Sequence, residues 1–92
     1  MKRSTVIAQT TKGHRVYLQG LCDIGWPVGA RYHVTYGDGE ILLQLAPEGK
    51  RKVSSSKGGV IDLEGKRVTS WAQGSTSAMV VHGNGRIIIS KN

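Results

Sequence analysis

The sequence contains an internal repeat of two units, and this repeat constrains the fold more than any other feature. Residues from about 10 to 43 recur at about 55 to 89. The only two tryptophans, Trp26 and Trp71, coincide when the chain is shifted by 45 positions. Five glycine pairs coincide at a shift of 45 or 46: Gly13 with Gly58, Gly20 with Gly65, Gly29 with Gly74, Gly37 with Gly83, and Gly39 with Gly85. The sequence therefore predicts an internal duplication.

The two units are predicted to share one core. The chain has 92 residues, and a fragment below about 40 residues rarely buries enough surface to fold alone. We expect a single domain made of two repeats, about 4–45 and 51–92. Between them, the segment 45–50 contains Pro47, Gly49 and charged residues, a composition typical of a linker.

Spacing within each unit indicates β-structure. Residues 31–36 alternate polar and apolar side chains, which is the period of a half-buried strand. Gly37-Asp38-Gly39 and Gly83-Asn84-Gly85 contain dipeptides that favour tight hairpin turns, and an apolar run follows each of them. A further strand is expected near the start of each unit, at 16–18 and 60–63. The glycine-bounded segments after these strands are expected to hold one helical turn at most.

The charge balance indicates a polyanionic partner. The chain has thirteen Lys and Arg residues and six Asp and Glu residues, a formal net charge of +7, and such an excess in a small domain attracts nucleic acid.

Cys22 is the only cysteine, which excludes an internal disulfide and fits a cytoplasmic location. As a small apolar side chain, Cys22 is expected in the core. The apolar run near Val6 is too short for a signal peptide, and no segment is long enough to span a membrane.

An ordered set of motifs resembles the SpoVT/AbrB family of swapped-hairpin DNA-binding regulators. Ser55-Ser56-Lys57-Gly58-Gly59-Val60-Ile61 is similar to the opening of that family, and residues 10–16 are its counterpart. Ile24-Gly25-Trp26-Pro27-Val28-Gly29 resembles the segment before the family's second strand. Asn84-Gly85-Arg86-Ile87-Ile88-Ile89 resembles its hairpin. The Pro and the acidic helix that usually follow the family's first strand are missing here.

The resemblance implies a mostly β fold, an internally duplicated swapped-hairpin barrel in which one chain forms a pseudo-dimer. It also implies a transcriptional regulator that binds double-stranded DNA through the first strand and loop of each unit. Lys12, His14, Arg15 and Lys57 lie in those segments. The full set of predicted DNA-binding residues is Arg3, Lys12, His14, Arg15, Arg51, Lys52, Lys57, Lys66 and Arg67.

The two copies differ where they are most basic. His14-Arg15 is replaced by Gly59-Val60, and Lys66-Arg67 stands where the first unit has Leu21-Cys22. We therefore expect asymmetric binding. Aromatic side chains can stack on bases, but core positions are the preferred interpretation of Trp26, Trp71, Tyr32 and Tyr36.

Catalysis is not predicted, and neither is a cofactor or a metal site. His14, His33 and His82 lack metal-ligand spacing, and no carboxylates cluster. Three alternatives remain: RNA as the nucleic acid, a protein-interaction module or inhibitor, and a nucleic-acid-cleaving toxin similar to SymE. The last rests on Tyr17-Leu18-Gln19-Gly20, which faintly resembles the opening strand of the SymE-type toxins. The oligomeric state is expected to be either a monomeric pseudo-dimer or a homodimer.

Overall fold

A computed structural model describes residues 2–92 as a mostly β chain with one α-helix. The strands are β1 (Lys2–Thr10), β2 (Gly13–Leu18), β3 (Arg31–Tyr36), β4 (Glu40–Leu45), β5 (Arg51–Lys52), β6 (Ile61–Gly65), β7 (Ser77–Gly83) and β8 (Arg86–Lys91). A short 3₁₀ helix covers Leu21–Ile24, and α1 covers Lys66–Ala72. No helix in this part of the chain is long and apolar enough to cross a membrane.

The eight strands form one antiparallel sheet that nearly closes into a barrel. Their order is β5-β3-β4-β8-β7-β1-β2-β6. The two outermost segments meet through a backbone bridge, in which Ser54 N donates to Val60 O at 2.9 Å and Val60 N donates to Ser54 O at 3.1 Å. The barrel-like, mostly β architecture confirms the predicted fold class at this level.

Both predicted hairpins are present. The β7–β8 turn places Asn84 at φ 53° and Gly85 at φ 73°. Positive φ at both central residues is the requirement of a type I′ turn, and Asn-Gly is the dipeptide that best satisfies it. The β3–β4 hairpin closes where Gly37 N donates to Glu40 O at 2.8 Å. The expected first strands are found as β2 and β6.

The core lies inside the barrel and is built from alternate residues of nearly every strand. Val16, Leu43, Leu63 and Ile87 are fully buried, as the period of two in a strand requires. The two tryptophans close the core at the connections between strands. Trp26 is 2% exposed and Trp71 6% exposed, which confirms their predicted core positions.

Three local expectations need correction. The segment after β6 forms a seven-residue helix, α1, instead of one turn, because Val68, Trp71 and Ala72 on its inner side are buried. Cys22 is exposed, because the 3₁₀ helix buries Leu21 instead. Tyr36 is only half-buried, whereas Tyr32 lies in the core as predicted.

Candidate nucleic-acid interface

Strands β2 and β6 are paired at one end of the sheet, with β1 on the other side of β2; we call the β2–β6 pair the ribbon, and it carries the first candidate surface. Tyr17 lies directly opposite Asp62 in the ribbon. Lys12 lies in the turn that precedes β2, and Lys57 lies beyond the other end of β2, where its carbonyl accepts from Gly20 N at 3.1 Å. We call Lys12, Arg15, Tyr17, Lys57 and Asp62 the ribbon face.

Arg15 is held firmly within the ribbon face. Its Nε donates to Asp62 Oδ1 at 2.9 Å and its Nη2 donates to Asp62 Oδ2 at 3.0 Å. The guanidinium carbon lies 4.6 Å from the centre of the Tyr17 ring, and Lys57 Nζ lies 5.9 Å from it. Hydrogen bonding to the Asp62 carboxylate raises the pKa of Arg15. The paired contacts orient the guanidinium, while its partly exposed position leaves it accessible to a ligand.

The other predicted residues near β1 and β2 are spread more widely. Arg3 is exposed on β1, where its Nη2 donates to Gln19 O at 3.2 Å. His14 is half-buried, with its Nδ1 2.9 Å from Thr69 Oγ1 of α1. That contact ties β2 to α1 and gives His14 a structural role. Lys52 is exposed on β5.

A second candidate surface lies where the barrel fails to close. Between β3 and β6, a cleft of about 300 Å³ is lined by aromatic and basic side chains. We call it the seam cleft, and its lining residues are Tyr32, His33, Val34, Tyr36, Lys50, Arg51, Glu64, Lys66 and Arg67. It continues past Tyr36 and Arg67 toward Trp71 at the side of α1. The structure thus brings the predicted residues Arg51, Lys66 and Arg67 together, away from the ribbon face.

Cations and tyrosines are in close contact in the seam cleft. The guanidinium carbon of Arg67 lies 4.7 Å from the centre of the Tyr36 ring, a distance suited to a cation–π interaction. Burial raises the pKa of both Tyr32 and Tyr36, and the nearby Arg51 lowers each in part. Arg67 also lowers the pKa of Tyr36. The cleft therefore combines a positive potential with aromatic surface.

The two cleft tyrosines are expected to ionise above the ordinary tyrosine pKa of 10.0. The folded state then holds these protons more tightly than the unfolded state, so their contribution to stability is complete below about pH 10 and is lost as pH rises through the folded pKa.

Arg67→Gln should raise the pKa of Tyr36 further, because it removes a cation that favours the phenolate. Titration of the phenolate absorbance measures the pKa of Tyr36, and the signal of Tyr36 is assigned by its loss in Tyr36→Phe. Lys12→Gln is the control, because Lys12 does not line the seam cleft and its removal should leave the pKa of Tyr36 unchanged. A lower pKa in Arg67→Gln would contradict it.

The sequence did not predict that the seam cleft exists. Lys50 and Tyr36 were not among the predicted site residues, although the basic runs at 50–52 and 66–67 are visible in the sequence. Their convergence depends on β5 being only two residues long and on the path of the linker. Apart from these basic runs, the residue types give no signal that points toward the cleft.

The architecture defines the class of this protein: a small, strongly basic, mostly β chain whose eight antiparallel strands form a barrel-like sheet. Comparison with known proteins adds no closer assignment. The chain matches no family model, no curated protein and no solved structure at a significant level.

Proposed function

We propose that this chain is a DNA-binding transcriptional regulator of the SpoVT/AbrB type, made of two swapped-hairpin units at about 4–45 and 51–92. The register of the sheet supports the duplication. Tyr17 and Asp62, which the repeat aligns, lie opposite each other in β2–β6, and the aligned pair Leu42 and Ile88 lies opposite in β4–β8. Corresponding residues face each other in this way when two copies are related by a twofold axis.

The order of the strands supports the exchange of hairpins. The β3–β4 hairpin of the first unit pairs at its outer edge with β5 of the second. The β7–β8 hairpin of the second unit pairs at its outer edge with β1 of the first. The two pairings have equivalent registers, since Arg31 opposite Lys52 and Ser77 opposite Val6 are related by the 46-residue shift of the repeat. Each hairpin is therefore flanked by a strand of the other unit.

The ribbon face carries the proposed contact with DNA. Its two basic turns lie at opposite ends of a six-residue strand, about 20 Å apart at the usual rise of a β-strand. Arg15 lies between them, where a guanidinium can bind a phosphate or a guanine edge. Among the side chains that the structure describes, Arg15 is the one Lys or Arg that forms an ion pair with a carboxylate. Lys12 and Lys57, the other two cations of the ribbon face, form no ion pair with a carboxylate in the described part of the chain and are available to phosphates. This arrangement of Lys12, Arg15 and Lys57 is the observation that carries the proposal.

Duplex DNA should bind to the native chain with strong salt dependence. If about six phosphates are neutralised, affinity falls roughly 10³-fold or more between about 50 and 200 mM salt. Lys12→Gln and Lys57→Gln should each weaken binding at all sequences and reduce the salt slope by about one. Fluorescence anisotropy with a labelled duplex measures both quantities.

Arg86→Gln is the matched control, because it removes one exposed charge at the β7–β8 turn and should leave the salt slope unchanged. A labelled RNA of the same sequence separates the two nucleic acids. Equal losses in all three variants would show that net charge, rather than the ribbon face, drives association. Tight binding without salt dependence would refute the proposal.

A further inference from the structure

The seam cleft is bordered by strand edges that have no partner strand. β5 pairs with β3 only at Arg31 and Tyr32, so the outer edge of β3 is free from His33 to Tyr36 in the described chain. β6 is the last strand in the order, and its outer edge is bridged only just before it begins, at Val60. Unpaired edges of this kind accept an extended segment of another chain.

The backbone groups of β3 that face the cleft are identified by its pairing with β4. In an antiparallel pair, alternate residues direct both N–H and C=O toward the same neighbour. Gly37 N donates to Glu40 O and Arg31 O accepts from Ala46 N, so the odd-numbered residues face β4. Val34 and Tyr36 therefore direct their N–H and C=O groups toward the cleft. No other backbone group and no side chain in the described chain bonds to them.

The corresponding place in the other half of the barrel is filled by a strand. There β1 pairs with β7 at five positions, from Lys2 opposite Val81 to Val6 opposite Ser77, whereas β5 pairs with β3 at two. The linker does not extend β5 backward, because Gly49 N donates to Ala46 O and turns the chain away. The cleft thus has the position and direction of a missing strand.

The rim of the cleft selects for negative charge. Lys50, Arg51, Lys66 and Arg67 are exposed around it and form no ion pair with a carboxylate in the described chain, and Glu64 is the one acidic residue among its lining residues. We propose that the seam cleft binds an acidic extended segment of a partner protein, which adds to the free edge of β3 as a strand. This proposal rests on the strand edges and the rim charges and is independent of DNA binding at the ribbon face.

A labelled eight-residue peptide that alternates Glu with Val or Thr is the probe. It should bind the native chain saturably in an anisotropy titration, and the same peptide with Lys in place of Glu should not. Lys66→Gln/Arg67→Gln should weaken binding about two- to thirtyfold, the effect of two exposed ion pairs. Lys12→Gln/Lys57→Gln removes the same charge from the ribbon face and should leave peptide affinity unchanged.

The backbone contacts need a readout of their own. Amide hydrogen exchange at Val34 and Tyr36 should be fast in the free protein and slow with peptide bound, whereas His33 and Thr35 should be protected in both. Two N-methylated peptides test the same point, one methylated at the odd-numbered amides and the other at the even-numbered amides. The two should differ in affinity, because only one of them loses the amide groups that face β3. Equal binding of the Lys peptide, or no change at Val34 and Tyr36, would refute strand addition. If Lys66→Gln/Arg67→Gln weakens duplex binding and leaves peptide binding intact, the seam cleft binds DNA and not an acidic peptide, and the proposal is wrong.

Discussion

Trp26→Ala is expected to reduce the free energy of unfolding by about 3–5 kcal/mol, the usual result of removing a buried aromatic side chain. The Trp26 ring is 2% exposed and packs against Tyr32, with centroids 5.7 Å apart and planes at 57°. A domain of 92 residues has a total stability of about 5–14 kcal/mol. The variant should therefore lose a large part of its stability and unfold at a much lower denaturant concentration.

Far-ultraviolet circular dichroism in guanidinium chloride measures this loss without relying on tryptophan fluorescence. Val28→Ala is the matched control two residues away, because Val28 is 48% exposed and its truncation should change stability by no more than about 0.5 kcal/mol. Similar losses in the two variants would mean that the loop, and not the indole ring, determines the effect. A loss below about 1 kcal/mol in Trp26→Ala would contradict the buried position.

Gly49→Ala is expected to destabilise the protein by about 1–3 kcal/mol, the range of an overpacked site. A Cβ atom at Gly49 would lie 2.5 Å from the backbone N and O of Tyr32. Because these are backbone atoms in a paired strand, the linker must move away from β3. The contact between Arg31 Nη1 and Gly49 O, now 3.0 Å, should then lengthen, and the short strand β5 should lose protection from hydrogen exchange.

Gly37→Ala is the control for Gly49→Ala. A Cβ at Gly37 would meet its nearest atom, Glu40 O, at 3.6 Å, an ordinary contact, and neither glycine has a positive φ. Both substitutions remove the same backbone freedom from the unfolded chain, so their difference isolates the clash with Tyr32. Equal stability of the two variants would show that the linker is not packed on β3.

The sequence predicted the strands and hairpins because these elements depend on the preferences of neighbouring residues. The alternation in 31–36 and the Asn84-Gly85 dipeptide each specify local backbone geometry, and the hairpins formed as expected. The length of α1 was not predictable from its glycine-bounded sequence. Val68 and Trp71 gain burial only when β2 and β6 are in place, and the contact between His14 and Thr69 joins residues 55 positions apart.

The candidate site was predictable only in part, for the same reason. The basic character of 12–15 and 57 is visible in the sequence, and the ribbon brings Arg15 and Lys57 to the same tyrosine. The ion pair of Arg15 with Asp62 depends on the register between β2 and β6. The seam cleft depends on a strand that ends early, and residue types alone do not specify an ending imposed by the path of a linker.

The unequal lengths of β1 and β5, nine residues against two, have a consequence for how such a molecule can change. Two identical subunits must display every surface in duplicate, so a substitution that opens one side of the assembly opens the other as well. With both halves encoded in one chain, each side is free to vary independently. The place beside β1 is filled by a strand, whereas its counterpart beside β5 is an open cleft that carries cations and tyrosines.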